Sequence, residues 1–242
     1  MSIPRSRAAL LATLTLAGLL TAVLLARGAE VARSQTSNVI QVNQQWQCTS
    51  AVDLELVRVV MVSVNDAAVS LRNGCSGTID RLEIVTYTAD GVTIQNATSG
   101  VAQNLTIGGG YVYCPDLAEN AHQDGIQALG GTNITFQNLR IACGTSDANF
   151  GDGPNSQITI GKGGQGSGRP TDIVCDGCWL GPHASHTVLM GDSEDSGVSN
   201  SSYCTDRTPS GGWFDDTGAT TPVNSSNTGF ATAVCDAFSP YP

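Results

Sequence analysis

The sequence predicts an all-β protein, a right-handed single-stranded parallel β-helix of about six coils, each stacked on the one before. Three observations predict it. Glycine is abundant, at 28 residues, while aromatic residues make up only 5%. Beyond the N-terminal stretch no apolar run has a long helical period. Short apolar runs recur instead at a fixed step.

Residues 1–29 come first. They carry Arg5 and Arg7, an apolar stretch from Ala8 to Ala26, and Ala26-x-Gly28 as a small-residue cleavage site. That is the arrangement of a secretory signal peptide. The apolar stretch, 19 residues long, is also long enough to span a bilayer, so an uncleaved anchor with the domain outside is the alternative. In both cases the remainder is extracellular. Residues 30–43 are expected to form an N-terminal cap or linker.

The repeat occupies residues 44–203. One set of runs is "ELVRVVM" (55–61), "TIDRLEI" (78–84), "VAQNLTI" (101–107), "TFQNLRI" (135–141), "VCDGCWL" (174–180) and "GVSNSSY" (197–203). Their last residues are separated by 23, 23, 34, 39 and 23 positions, a base period of 23 with two enlarged coils. A second, upstream set holds the same frame: "WQC" (46–48), "VSL" (69–71), "VTI" (92–94), "IQA" (126–128), "ITI" (158–160) and "VLM" (188–190). In these runs the outer residues face inward and the middle one outward, the period-2 signature of a strand. One coil cannot bury its apolar face alone, so the stack is the folding unit. Parallel crossovers are right-handed. Residues 204–242 leave the frame and are expected to cap the end of the stack, where strand edges would otherwise be exposed.

The coil pattern Asp-Gly-Val/Ile followed by Asn-Leu-x-Ile, seen at Asp90-Gly91-Val92 and Asp124-Gly125-Ile126, resembles the right-handed parallel β-helix proteins of the pectate-lyase-like superfamily. The resemblance covers about residues 44 to 203. It implies a secreted carbohydrate-active protein, a polysaccharide lyase or hydrolase. The alternative is a non-catalytic cell-surface or carbohydrate-binding β-helix, because the superfamily also includes adhesins. The paired-Asp, Gly-His-Gly and Arg-x-Lys signatures of its polygalacturonase branch are missing here.

Composition narrows the partners. The formal net charge is −10, and removal of Arg5, Arg7 and Arg27 with the signal makes the chain more acidic still. Such a surface repels nucleic acid and anionic membrane. A membrane contact is expected only through an uncleaved N-terminal segment, and the protein is expected to be a monomer. Eight cysteines in an exported chain favour disulfides over metal ligation. Cys114 and Cys143, soon after successive rungs, are expected to pair, as are Cys48 with Cys75 and Cys204 with Cys235 near the ends. Cys175 and Cys178 then remain, on inward columns. Asn104, Asn138 and Asn200 are read as turn residues with left-handed backbone.

The candidate site lies where the coils are enlarged, since long loops on a rigid scaffold are where binding residues concentrate. One insertion, Gly108 to Gln123, brings Tyr111, Tyr113 and His122. The other coil is enlarged at Ala142 to Asn155, with Asp152, and at Gly161 to Pro170, with Lys162 and Arg169. Stacking puts Asp90 beneath Asp124, about 4.8 Å away by strand spacing, and carboxylates that close repel unless a proton or a cation intervenes. A lyase of the resembled superfamily would hold Ca²⁺ on Asp90 and Asp124, with Asp152 beside them. Arg169, Lys162 or Arg140 would act as base, with His122 competing for that role. A hydrolase would use the carboxylates as acid and base. Tyr111 and Tyr113 would stack on the polysaccharide.

Overall fold

The computed structural model describes residues 38–62, 67–86, 90–95, 100–114, 123–143, 156–161, 168–181, 186–204 and 213–230. These residues build three all-parallel sheets. Each strand pairs with its counterpart in the coils before and after, the arrangement of a right-handed parallel β-helix. In sheet A the order is β1 (Val39–Val42), β4 (Leu56–Val62), β7 (Leu82–Thr86), β10 (Gly110–Cys114), β13 (Leu139–Cys143), β16 (Trp179–Leu180), β19 (Ser202–Cys204) and β22 (Thr228–Phe230). Sheet B runs β2 (Trp46–Cys48), β5 (Ala67–Leu71), β8 (Asp90–Ile94), β11 (Asp124–Ala128), β14 (Ser156–Ile160), β17 (His186–Met190) and β20 (Phe214–Asp215). Sheet C runs β3 (Ala51–Leu54), β6 (Ser76–Ile79), β9 (Gln103–Ile107), β12 (Thr132–Gln137), β15 (Thr171–Asp176), β18 (Gly197–Ser199) and β21 (Val223–Ser225).

The upstream runs read from the sequence are the sheet B strands, in the expected register. Val69, Val92, Ile126, Ile158 and Val188 stack one on the next and all are buried. The downstream runs are a mixture of two sheets. Leu105 and Ile107, expected to stack on Leu139 and Ile141, instead pair with Ile134 and Phe136 in sheet C. Sheet A receives Gly110 and Val112 from that coil, between Leu82 and Ile84 below and Leu139 and Ile141 above. The coil has a third strand, and its residues include Tyr111 and Tyr113, expected on a loop. Leu105 and Ile107, with their partners Ile134 and Phe136, still face the core. At the first step Val59, rather than Met61, stands beneath Ile84, ahead of a register shift between Val60 and Val62. Coil length therefore varies more than a base period of 23 suggests: Ile79 to Ile107 is 28 residues and Ile107 to Phe136 is 29.

Turn chemistry fits the turns. Asn104, Asn138 and Asn200 have φ of 52°, 55° and 49°, the left-handed region that asparagine tolerates. Asn104 stacks under Asn133, whose Nδ2 donates to its Oδ1 at 2.8 Å, and not under Asn138. Disulfides join Cys48 to Cys75, Cys114 to Cys143 and Cys175 to Cys178. Cys204 is disulfide-bonded as well, and Cys235 lies outside the described residues, as does the expected signal peptide. These bonds mark a domain that folds in an oxidising compartment. Among the described residues no helix is long and apolar enough to cross a membrane.

The stack extends past both limits read from the sequence. β1 already belongs to sheet A. Beyond Tyr203, β20, β21 and β22 add a rung to all three sheets. Trp213 stacks on Tyr203 with ring centroids 3.9 Å apart, packing against the core at this end.

Candidate functional site

The Asp-Gly steps set the direction of the carboxylates. A Cβ built on Gly91 would lie 2.2 Å from Val112 Cγ1, and one on Gly125 would lie 2.3 Å from Ile141 Cγ2. Val112 and Ile141 are core residues of sheet A, so both glycines face inward and only glycine fits. Their neighbours Asp90 and Asp124 consequently turn to the outer face of sheet B.

There the expected stack is found. The backbone N–H of Asp124 donates to Asp90 Oδ1 at 2.8 Å. Ser156, the register partner of Asp124, donates from Oγ to Asp124 Oδ1 at 2.8 Å. Gln127 donates from Nε2 to Asp124 Oδ2 at 3.2 Å, and Ser156 Oγ also bonds Thr159 Oγ1. Asp124 and Ser156 expose nothing to solvent, and Asp90 exposes 8%. His186 continues the column above Ser156, with Nε2 3.8 Å from Asp215 Oδ2. Gln157 follows Ser156 into the core-facing position that glycine holds in the two coils below. Its Oε1 accepts from Cys143 N–H at 2.9 Å and its Nε2 donates to Cys143 C=O at 2.8 Å.

A second cluster lies on the outer face of sheet A. Arg58, Glu83, Tyr111, Arg140 and Trp179 occupy successive rungs in one register column. The buried Glu83 carboxylate is clipped between Arg58 Nη2 at 2.5 Å and Arg81 Nε at 2.6 Å. Burial, and then the Glu83 charge, push the Tyr111 phenol above its ordinary value, against the opposing pull of Arg58 and Arg81. Arg140 is exposed, while Tyr111, Tyr113 and Trp179 are half-buried.

Arg169 stands elsewhere, ahead of β15 at the corner between sheets B and C. It pairs with Asp192 at 2.9 Å and Glu194 at 3.5 Å, and bonds Ser193 C=O and Thr220 Oγ1. It is thus engaged in tying neighbouring coils together. His122, Lys162 and Asp152 lie outside the described residues. The fit of Ca²⁺ can be judged on the carboxylates alone. Such an ion takes about six to eight oxygen ligands, whereas Asp124 spends an oxygen on each of two donors. Among the described residues no three His, Cys, Asp or Glu side chains converge. The described residues do not by themselves make a calcium cage.

Sequence reasoning passed over Glu83 and Trp179, although the aligned runs "TIDRLEI" and "VCDGCWL" put both in the column of Arg140. It also missed Gln127 and Gln157, for which no motif signals a role. Comparison of the chain with protein-family models, curated proteins and solved structures finds no match.

Proposed function

We propose that this chain is an extracellular carbohydrate-binding β-helix protein, with Tyr111, Arg140 and Trp179 on the outer face of sheet A as its sugar platform. The observation that carries the reading is the register of these three residues. Adjacent strands lie about 4.8 Å apart, so Tyr111 and Trp179, two rungs apart, are separated by about 9.6 Å with Arg140 between them. Two flat rings with polar edges suit the apolar faces of sugar rings. The Arg140 guanidinium supplies a planar fork of donors for hydroxyl or carboxylate oxygens.

A second reading, a polysaccharide lyase or hydrolase centred on Asp124, is favoured by the one-rung separation of Asp90 and Asp124. Against it stand the full burial of Asp124 and the use of both its oxygens by Ser156 and Gln127. Affinity electrophoresis over a polysaccharide panel separates the two. Trp179→Ala and Tyr111→Ala should each weaken binding by up to about tenfold, while Asp124→Asn should bind normally and no unsaturated or reducing-end product should form. Binding that survives both aromatic substitutions and is lost in Asp124→Asn would transfer the function to sheet B.

A further inference from the structure

Three consecutive rungs on the outer face of sheet B repeat one arrangement, a polar residue opening the strand and a second three positions on. The pairs are Asp90 with Thr93, Asp124 with Gln127, and Ser156 with Thr159. In the upper two the partners bond each other directly. In the lowest they do not: Thr93 Oγ1 is buried without a hydrogen-bond partner, at 2% exposure for the residue. The residues above and below Thr93 are otherwise engaged. Ser70 Oγ accepts from Arg72 Nε at 3.1 Å, and the Gln127 amide donates to Asp124. Gln123, one residue ahead of Asp124, is fully buried with neither Oε1 nor Nε2 bonded. Along the chain, Thr93 thus follows Asp90 by three residues and Gln123 immediately precedes Asp124, and a hydrogen bond joins Asp124 to Asp90.

Buried hydroxyls and amides in folded proteins almost always have a partner. We infer that Thr93, Asp90 and Gln123 mark an internal site for a neutral hydroxyl group, which bridges Thr93 Oγ1 to the Asp90 carboxylate. The chemistry selects that class. Two neighbouring carboxylates repel an anion. A cation would need more ligands than this pair offers, since among the described residues no third His, Cys, Asp or Glu side chain joins them. A threonine hydroxyl and a glutamine amide each donate and accept, and a hydroxyl answers both. Bound water and a hydroxyl of a small sugar or polyol share this chemistry. The site is independent of the sheet A platform.

The sign of a stability change tests it. Thr93→Val keeps shape and strand preference while deleting the hydroxyl, and Gln123→Leu does the same for the amide. If the site holds a hydroxyl, both variants lower the urea midpoint, whereas Thr93→Ser, which retains the group, falls less than Thr93→Val. Midpoints that stay unchanged or rise in Thr93→Val and Gln123→Leu overturn the inference, because removing an unbonded buried polar atom stabilises. Thermal melts in rising glycerol and in a neutral disaccharide then identify the guest. A saturable rise in wild type that Thr93→Val abolishes assigns a sugar or polyol hydroxyl, and parallel responses of the two proteins assign water. Trp179→Ala, run alongside, should respond as wild type does, which keeps this outcome separate from the fate of the sheet A platform.

Discussion

Replacing Gln157 by glutamate turns a neutral internal clamp into one that titrates. The Gln157 side chain is fully buried and satisfies both the N–H and the C=O of Cys143. Gln157→Leu strands two buried backbone groups, each at about 1–3 kcal/mol, for a total of about 2–6 kcal/mol. Gln157→Glu divides that loss by pH. The protonated acid can accept from the N–H and donate to the C=O, so both bonds persist. The carboxylate opposes the C=O and leaves water for a dry site, so its pKa in the folded state should rise above the ordinary value of about 4.3. A raised carboxyl pKa leaves stability intact below that ordinary value. Stability then falls by about 1.4 kcal/mol per pH unit up to the folded-state value. Urea unfolding with disulfides intact, at pH 4 and pH 7, and amide exchange at Cys143 would measure both effects. Gln157→Glu should resemble wild type in acid and approach Gln157→Leu at neutrality. An equal penalty at both pH values, or no penalty in Gln157→Leu, would refute the clamp.

Two further outcomes are expected. Gly125→Ala places a methyl carbon 2.3 Å from Ile141 Cγ2 and 2.5 Å from the Gln157 carbonyl oxygen. It should cost about 1–3 kcal/mol or more, read as a lower thermal midpoint, and a change within about 0.5 kcal/mol would mean that this corner is less tightly packed than described. Asp176 is held below the usual carboxylate range first by the Asn200 hydrogen bond and then by that of Ser199. A lowered carboxyl contributes stability above its ordinary value and loses it as pH falls through the folded-state value. Asn200→Gly, which accepts the left-handed φ of 49°, should raise the Asp176 titration point in an NMR titration and shrink the stability lost on acidification.

The sheet B strands were legible because each is an alternating run, in two coils set off by an Asp-Gly step whose glycine no larger residue can replace. The boundary between sheets A and C was not. In "NITFQNLRI" (133–141) two asparagines are each followed by an alternating apolar pair. Both "NITF" and "NLRI" match the "NLTI" of residues 104–107, and similarity alone cannot tell which side of the corner a run occupies. Strand pairing decides it, and β10 shows that the supposed insertion begins with a rung. The Asp90 and Asp124 column followed from the repeat. The engagement of Asp124 by Ser156 and Gln127 did not, because the inward glycine breaks the alternation that would place a residue three positions on.

Chain connectivity across the rungs has a mechanical consequence. A solenoid comes apart by shedding terminal coils, since each coil is held only by its neighbours. Among the described residues the final rung offers strands of only two and three residues, so of the described coils fraying should begin there under heat, load or protease. The disulfide at Cys204 is the first covalent tie it meets, and the bond between Cys114 and Cys143 is the next between coils. Because these two residues are direct register partners on adjacent rungs, their coils cannot separate at that edge while the disulfide lasts. An oxidised chain should accordingly retain a folded stub of its earlier coils after the later ones have unzipped, and reduction should let the same peeling run on toward Cys48 and Cys75.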